Sequence, residues 1–371
     1  MSAASRLPTI AGTITLGALL AGLTSLPSVR AFLVRYLGSR ATRHMWKLTA
    51  AAFAIANFKN IPFVWHIRVL RGIFYQLYLQ PTPQQPKHLF APVITSSRNT
   101  LYDCDYNMHK SNSTYFADLD VARAHTVGCL IRTGLSRLNR GDEEGLPVEV
   151  IAAKGNFYVA LGAVSCFFHK QIEPLQAFEI HTRVLSWDRK WLYLVSHFVK
   201  KGAVKPESYA LQPWRKGKRV TGSQSEQDMK KHIFASSVAR YCFKKGRLTI
   251  NPEIVLERSR ILLPRPEDVQ LPPRAEASSN AVPSEVAPTP ASDTATKISA
   301  AALASQVSSK LGDYAEHVSK EGIENDDSWT WEDMENERLR GLKTASHFDQ
   351  LSAAHNELRS NEALGEYCDF W

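Results

Sequence analysis

The chain has 371 residues, of which 44% are hydrophobic, enough for one sizeable core with length left over for a leader and a tail. Its formal net charge of +9 originates at the beginning of the chain: the first 102 residues contain eleven Lys or Arg and no Asp or Glu, whereas the remainder has 34 basic and 36 acidic residues. This distribution, without any base-reading motif, argues against a nucleic-acid-binding domain and favours a membrane surface as the partner of the leader.

The leader, residues 1–80, is typical of a membrane anchor followed by an amphipathic segment. Residues 7–29 carry no charge and would span about 35 Å as a helix, which is enough for a single pass through a bilayer. The positive flank that accompanies such anchors follows at Arg30, Arg35, Arg40 and Arg43. In residues 48–80 an apolar stretch runs into aromatic residues interleaved with basic ones, as in a helix lying in the headgroup region. The alternative for this second part is a helix packed on the folded domain.

We therefore predict a membrane-associated protein and favour the endoplasmic reticulum as its location. The acid-free start, which contains arginine and serine, is also compatible with a mitochondrial transit peptide. A cleaved secretory signal fits less well, because the positive region before the apolar run is thin.

A proline-rich linker, residues 81–91, precedes the segment 92–262 that we predict to be the folded domain. Residues 93–102 are β-prone. Residues 112–141 are predicted to form a long helix, because apolar side chains recur with a period close to 3.6 and Gly141 can end it.

Several strands are predicted after the helix. Residues 147–172 would hold one long strand or two, and residues 177–187 and 190–200 flank a tight Asp-Arg connection that indicates a hairpin. Residues 233–250 would supply the last strand and a Lys-Gly turn. A strand, a long helix and then several antiparallel strands predict an α+β domain with the helix on one face of the sheet.

Three segments are expected to lie outside this sheet. The basic insertion 201–231 would be either a solvated loop or a contact for phosphates, an acidic carrier protein or anionic lipid. Residues 263–310 are rich in Pro, Ala, Ser and Thr and are predicted to be disordered. Residues 311–371 regain amphipathic helical character and would dock on the domain or bind a partner.

At the mouth of the long helix, residues 103–112 read DCDYNMHKSN and combine two acids, a histidine and helix-capping residues. A metal loop, a plain capped helix and an acid–base site are the alternatives. A calcium loop needs later ligands and a bidentate glutamate, which the sequence lacks. A carboxylate beside the start of a helix suits acyl transfer, since the unpaired backbone N–H groups there can stabilise a developing oxyanion.

The longer stretch DCDYNMHKSNSTYFADLDVAR, residues 103–123, resembles the hotdog-fold acyl-CoA thioesterases of the 4-hydroxybenzoyl-CoA thioesterase type. Their pattern is Asp-x-Asp-x-x-x-His, one or two Asn, a Tyr and a helix ending in Ala-Arg. The matching residues here are Asp103, Asp105, His109, Asn112, Tyr115, Ala122 and Arg123, and Ser111 stands where many relatives have the first Asn. With its apolar leader and its hairpin, the chain is most similar to a fungal biosynthetic-cluster group related to thioesterase superfamily member six.

This resemblance implies a role for each matched polar residue. Asp105 would be the catalytic base or nucleophile, with turn capping as the alternative, and His109 would orient water or assist proton transfer, with a buried structural histidine as the alternative. Asp103, Asn112 and Tyr115 would contact the substrate. The alternatives are loop ordering for Asp103 and helix capping for Asn112, and Tyr115 could pack on the partner subunit instead.

The resemblance also implies a hotdog fold, in which an antiparallel sheet wraps a long central helix, and a homodimer or larger assembly with active sites between protomers. The expected substrate is an acyl thioester of coenzyme A or of an acyl carrier protein, in fungal lipid, polyketide or lipopeptide metabolism, without a metal or redox cofactor. The main rival is a hotdog protein that binds acyl chains or organises a membrane complex without catalysis. A dehydratase-type hotdog is a weaker rival, because those enzymes place their histidine and acid differently.

Motifs of other classes are missing. No GxSxG elbow, GxGxxG fingerprint or P-loop occurs, which argues against a serine hydrolase of the α/β type and against a nucleotide-binding turn. No CxxC pair occurs among the five cysteines, so neither a zinc site nor a redox dithiol is predicted, and their odd number argues against a disulfide framework.

Overall fold

The computed structural model describes residues 26–215, 229–266, 329–351, 353, 354 and 366. Its helices are α1 (Pro27–Ala56), α2 (Val64–Phe74), α3 (Asn112–Asn139), α4 (Val148–Ala152), α5 (Pro252–Arg258) and α6 (Trp331–Gln350). Its strands are β1 (Val93–Arg98), β2 (Phe157–Phe168), β3 (Ala177–Trp187), β4 (Leu192–Lys200), β5 (Ile233–Lys245) and β6 (Leu248–Ile250). Short 3-10 turns occur at Phe58–Asn60, Pro86–His88 and Leu101–Asp103, and one π-helical turn at Tyr75–Leu79 follows α2.

Within the described residues the strands form one antiparallel sheet in the order β1-β3-β4-β5-β2, with β6 paired to β5. The predicted hairpin is confirmed as β3–β4, and the side chain of Asp188 organises its turn by accepting hydrogen bonds of 2.7 Å from the backbone N–H groups of Lys190 and Trp191. The β2–β5 register shifts at Gly162, where a Cβ atom would lie 2.4 Å from the ring of Trp191. Glycine is therefore required at this bulge.

The long helix α3 packs along the inner face of the sheet, as the apolar period of its sequence predicts. Leu119 and Ala122 are fully buried on its first half, against Phe178 of β3 and Phe198 of β4. The helix ends just before Gly141, whose φ of 97° only glycine adopts easily. A long helix wrapped by an antiparallel sheet is the α+β hotdog arrangement that the sequence predicts.

One predicted strand region is partly wrong. The segment 147–172 begins with the short helix α4 rather than with a strand, and β2 starts only at Phe157. Pro147, with φ of −56°, stands at the N-cap, and its carbonyl accepts hydrogen bonds from the N–H groups of Val150 and Ile151. The β-branched residues of this helix favour a strand by propensity, but burial of Val150 in the core stabilises the helical turn instead.

The second part of the leader packs on the folded domain, which is the alternative that the sequence leaves open. A Cβ atom on Gly72 of α2 would lie 3.1 Å from the ring of His125 on α3, and Gln76 Nε2 lies 3.2 Å from His125 Nδ1. Close helix packing at a glycine thus fixes α2 against α3. In the described part of the chain, no helix has the length and apolar character to cross a membrane. The predicted span 7–29 lies outside the described residues except for its last four, at the start of α1.

The tail forms the predicted helix, α6, at residues 331–350, and this helix docks on the C-terminal end of β3. Ser186 Oγ donates a hydrogen bond of 2.7 Å to the carbonyl of Arg338, and Arg338 Nη1 donates one of 3.0 Å to the carbonyl of Trp187. A Cβ atom on Gly341 would lie 1.9 Å from the carbonyl oxygen of Leu185, so the two backbones touch. Most of the segment predicted to be disordered, residues 267–310, lies outside the described residues.

Candidate active site

The candidate site is the loop of residues 103–111, called the acid loop here, which leads from the turn after β1 into α3. The loop closes on itself: Cys104 and Lys110 form an antiparallel bridge, and Asp105 N donates a hydrogen bond of 2.9 Å to the carbonyl of His109. Met108, with φ of 58°, makes the tight turn at the tip. Lys110 N also donates a bond of 3.0 Å to the carbonyl of Ile172, which attaches the end of the loop to the β2–β3 connection.

Asp105 is half-buried, and only one oxygen of its carboxylate is hydrogen-bonded to the described residues. Its Oδ1 accepts a hydrogen bond of 2.9 Å from Asn107 N, which is the turn-capping contact of the structural alternative. Its Oδ2 accepts no hydrogen bond from the residues that the structure describes. Asp105 is therefore the carboxylate of the acid loop with an oxygen available to water or substrate.

Asp103, in contrast, is 2% exposed and fully engaged. Its Oδ1 accepts a hydrogen bond of 2.8 Å from Asn60 Nδ2, and its Oδ2 forms an ion pair of 2.5 Å with Lys59 Nζ. Asp103 and Thr100 also form a capping box around the turn that precedes the acid loop. This environment suits the loop-ordering role, and it leaves the Asp103 carboxylate closed to substrate in this conformation.

The remaining predicted site residues occupy the loop end and the first turn of α3. His109 is buried in the loop, and Asn112 is an exposed first residue of the helix. Ser111, rather than Asn112, takes the N-cap position, and no side-chain hydrogen bond caps the helix. The start of α3 therefore keeps backbone N–H groups for an anion.

Tyr115 points into the core instead of lining an open surface. It is 2% exposed and makes edge contacts with the rings of Phe168 and Phe198, at centroid distances of 5.0 and 4.8 Å. Burial raises the pKa of its hydroxyl. A substrate contact, which the family pattern implies, would require these rings to separate.

Five buried or nearly buried ionic side chains lie beneath the acid loop and are called the charged cluster. This cluster was not predicted from the sequence. It contains three cations and two carboxylates: Lys59, Arg68, Lys110, Asp103 and Asp118. Asp118, on α3, lies at its centre, with Lys110 Nζ at 2.8 Å, Arg68 Nη2 at 2.8 Å and Lys59 Nζ at 3.1 Å. Lys110 is completely buried, and its Nζ lies 3.6 Å from Asp103 Oδ2.

The charges of the cluster perturb each other strongly. Burial would raise the pKa of Asp118, but the three cations outweigh burial and hold its pKa well below the usual range. Burial lowers the pKa of Lys110, an effect that Asp118 partly offsets and Lys59 reinforces. The family pattern contains neither Lys59 nor Arg68, and contacts between residues about 50 positions apart leave no local signal in one sequence.

Comparison with known proteins gives a consistent result. The model of the thioesterase-like superfamily matches residues 100–211. A probable thioesterase from Emericella nidulans, atnL, is 36% identical over 244 residues, covering 61% of this chain and 75% of that protein. The thioesterase lcsJ from Purpureocillium lilacinum is 31% identical over 334 residues, covering 81% of this chain and 88% of that protein.

Two further similarities are weaker. The THEM6 protein of Danio rerio is 28% identical over 159 residues, covering 42% of this chain and 66% of that protein. Among solved structures, the probable thioesterase YbaW from Escherichia coli matches 45% of this chain and 96% of its own, at 12% identity and a TM-score of 0.28. The fold assignment therefore rests on the observed sheet order and on the relatives in sequence.

Proposed function

Since this chain is a thioesterase and belongs to the thioesterase-like superfamily, we propose that it hydrolyses an acyl group bound to coenzyme A or to an acyl carrier protein, with Asp105 as the reacting carboxylate. The observation that supports this assignment is the contrast between the acids at the mouth of α3. Asp103 and Asp118 are buried and paired with cations, whereas Asp105 is half-buried and keeps Oδ2 available.

In the base route, Asp105 accepts a proton from water while the water oxygen attacks the thioester carbonyl. The carbonyl oxygen becomes an oxyanion, which the uncapped backbone N–H groups at the start of α3 stabilise. The tetrahedral intermediate then collapses, the carbon–sulfur bond breaks, and the proton on Asp105 passes to the leaving thiolate. His109, two residues before the N-cap, would orient the attacking water.

In the nucleophile route, Asp105 Oδ2 attacks the carbonyl directly, and an anhydride forms as the thiolate leaves. Water then hydrolyses the anhydride and restores the carboxylate. Both routes use the same carboxylate and the same helix start, so the position of Asp105 matters equally to each.

The edge strand β2 supports a homodimer. Within the described residues β2 pairs only with β5, so its other edge offers unpaired N–H and C=O groups to a second copy. Four large side chains of this strand are exposed by 41–54%: Tyr158, Leu161, Phe167 and Phe168. Sedimentation of a Phe167→Glu variant as a monomer, against a wild-type dimer, would support pairing through β2, and an unchanged dimer would place the interface elsewhere.

The outer face of α2 supports contact with a membrane surface. Phe63, Ile67, Leu70 and Phe74 follow each other at helical spacing and are 75, 61, 63 and 51% exposed. The leader around them contains no acidic residue, so its charge complements anionic headgroups. We favour the endoplasmic reticulum membrane. Cosedimentation with phosphatidylcholine vesicles that contain phosphatidylserine should be lost in an Ile67→Glu, Leu70→Glu variant, and undiminished binding of that variant would refute this docking face.

The substrate proposal is tested by thiol release from a panel of acyl-CoA esters of different chain length, assayed with the purified full chain. Turnover of one length class over the others identifies the acyl group. Measurable binding of acyl-CoA without thiol release would support the rival, an acyl-binding protein without catalysis. Substrates bound to an acyl carrier protein form the second arm of the panel.

A further inference from the structure

We infer that the leader holds the acid loop in the geometry required for hydrolysis, so that Lys59 and Asn60 are positioning residues for Asp105. This inference rests on the proposed function, in which Asp105 is the reacting carboxylate. It assigns a role in the reaction to a segment that lies outside the residues matched by the family model, which begin at residue 100.

The leader binds the turn that opens the acid loop through three consecutive contacts. Asn57 Oδ1 accepts a hydrogen bond of 2.9 Å from Tyr102 N. Asn60 Nδ2 lies 2.8 Å from both Thr100 Oγ1 and Asp103 Oδ1. Since Asp103 is two residues before Asp105, these contacts restrict the backbone that carries the reacting carboxylate.

Lys59 connects the opening of the loop with its end. Its Nζ pairs with Asp103 Oδ2 at 2.5 Å and with Asp118 Oδ2 at 3.1 Å. The same oxygen of Asp118 binds Lys110 Nζ at 2.8 Å, and Lys110 is the residue after His109. One ammonium group from the leader therefore links both ends of the segment that contains Asp105 and His109.

The chain on both sides of Lys59 is anchored to neighbouring elements. Asn57 is 4% exposed and its Nδ2 donates a hydrogen bond of 2.9 Å to the carbonyl of Phe53, which attaches it to the end of α1. On the other side, Arg68 of α2 pairs with Asp118 at 2.8 Å, and α2 packs on α3. Support of this kind is what places a reacting group within the narrow range that catalysis needs.

Because of the charge balance of the cluster, the positioning role of Lys59 can be tested without unfolding the protein. With three cations and two carboxylates the cluster carries a net charge of +1, and Lys59→Met leaves two cations for two carboxylates. No buried charge loses its last partner, so we expect the variant to fold. Asn60→Ala is a second, uncharged change that removes both hydrogen bonds of Asn60 to the turn.

The test measures kcat, KM and the melting temperature of the full chain with the best acyl-CoA substrate. For Lys59→Met and Asn60→Ala we expect kcat to fall about 10- to 100-fold while KM stays within about twofold, because a small displacement of the reacting group affects the chemical step more than binding. Lys59→Arg, which keeps the charge, should recover most of kcat. Lys47→Met is the matched control, since Lys47 is exposed on α1 and outside the cluster, and it should behave as wild type.

Wild-type kcat in both folded variants would overturn the inference. So would a fall of kcat that Lys59→Arg does not recover, or failure of both variants to fold, since either result would assign these residues to stability alone. Asp105→Asn, assayed in parallel, separates this inference from the proposed function: if that variant keeps its turnover, the proposed function fails whatever the leader variants do.

Discussion

Removal of the central carboxylate of the charged cluster should destabilise the protein far more than removal of one of its cations. Asp118→Asn leaves three cations with one carboxylate and raises the net charge of the cluster from +1 to +2. The completely buried Lys110 would then depend on Asp103, whose Oδ2 lies 3.6 Å from its Nζ and is already paired with Lys59 at 2.5 Å. Loss of one partner from a buried ion pair costs about 3–5 kcal/mol.

This cost is large compared with the stability of an ordinary domain, which is about 5–15 kcal/mol. For a domain of this size each kcal/mol corresponds to about 2–4 °C in the melting temperature, so we expect a fall on the order of 10 °C for Asp118→Asn. Lys59→Met neutralises the cluster instead and should cost about 1–2 kcal/mol. The double variant returns the net charge to +1 and should be no less stable than Asp118→Asn alone.

Urea and thermal denaturation of the purified full chain, followed by circular dichroism, measure these differences. A free energy of unfolding for Asp118→Asn within about 1 kcal/mol of wild type would contradict this prediction, because that difference is well below the cost of breaking a buried ion pair. A Lys59→Met variant as unstable as Asp118→Asn would also contradict the prediction, because the net charge of the cluster would then have no influence on stability.

Three further predictions concern the sheet, the tail and the reaction. Burial, reinforced by the charge of Arg183, lowers the pKa of the His197 side chain to about 4. Because the unfolded chain binds this proton below about pH 6.5, the free energy of unfolding should fall by up to about 3 kcal/mol as the pH drops from 6.5 to 4. His197→Gln should flatten that slope in urea titrations. Gly341→Ala places a Cβ atom against the carbonyl of Leu185, so it should lower the free energy of unfolding by about 1–3 kcal/mol and speed proteolysis of the tail. Thr344→Ala, on the exposed side of α6, is the control and should change neither. A single turnover in ¹⁸O-labelled water should put label into the Asp105 carboxylate only if the nucleophile route operates and water attacks the Asp105 carbon of the anhydride. Label confined to the product acid fits the base route, and it also fits attack of water on the acyl carbon of the anhydride.

The regular part of the fold could be predicted from the sequence because its signals are local. The 3.6-residue period of α3, the Gly141 stop and the Asp-Arg turn between β3 and β4 each lie within a few residues of the element that they define. The segment at Val148 misled the prediction, because its β-branched residues favour a strand while its tertiary contacts favour a helix.

The acid loop could be located from the sequence, but its support could not. The motif places Asp105 and His109 at the mouth of a helix, whereas the contacts that fix them come from Lys59, Asn60 and Arg68, more than 30 residues earlier. The composition of the leader could not decide between a helix that packs on the domain and a helix that lies on a membrane surface. Helix α2 packs one side on α3 through Gly72 and exposes apolar side chains on the other, so its mixed aromatic and basic composition fits both interpretations.

The central claim is that the half-buried carboxylate at the mouth of α3 performs the hydrolysis. Its most direct test is kcat for Asp105→Asn with the preferred acyl thioester, measured beside the melting temperature of the same preparation. We predict a loss of kcat of about 1,000-fold or more with a melting temperature close to that of wild type, since the carboxylate makes a single hydrogen bond, to Asn107 N, among the described residues. Turnover at the wild-type rate in a folded Asp105→Asn protein would contradict the claim.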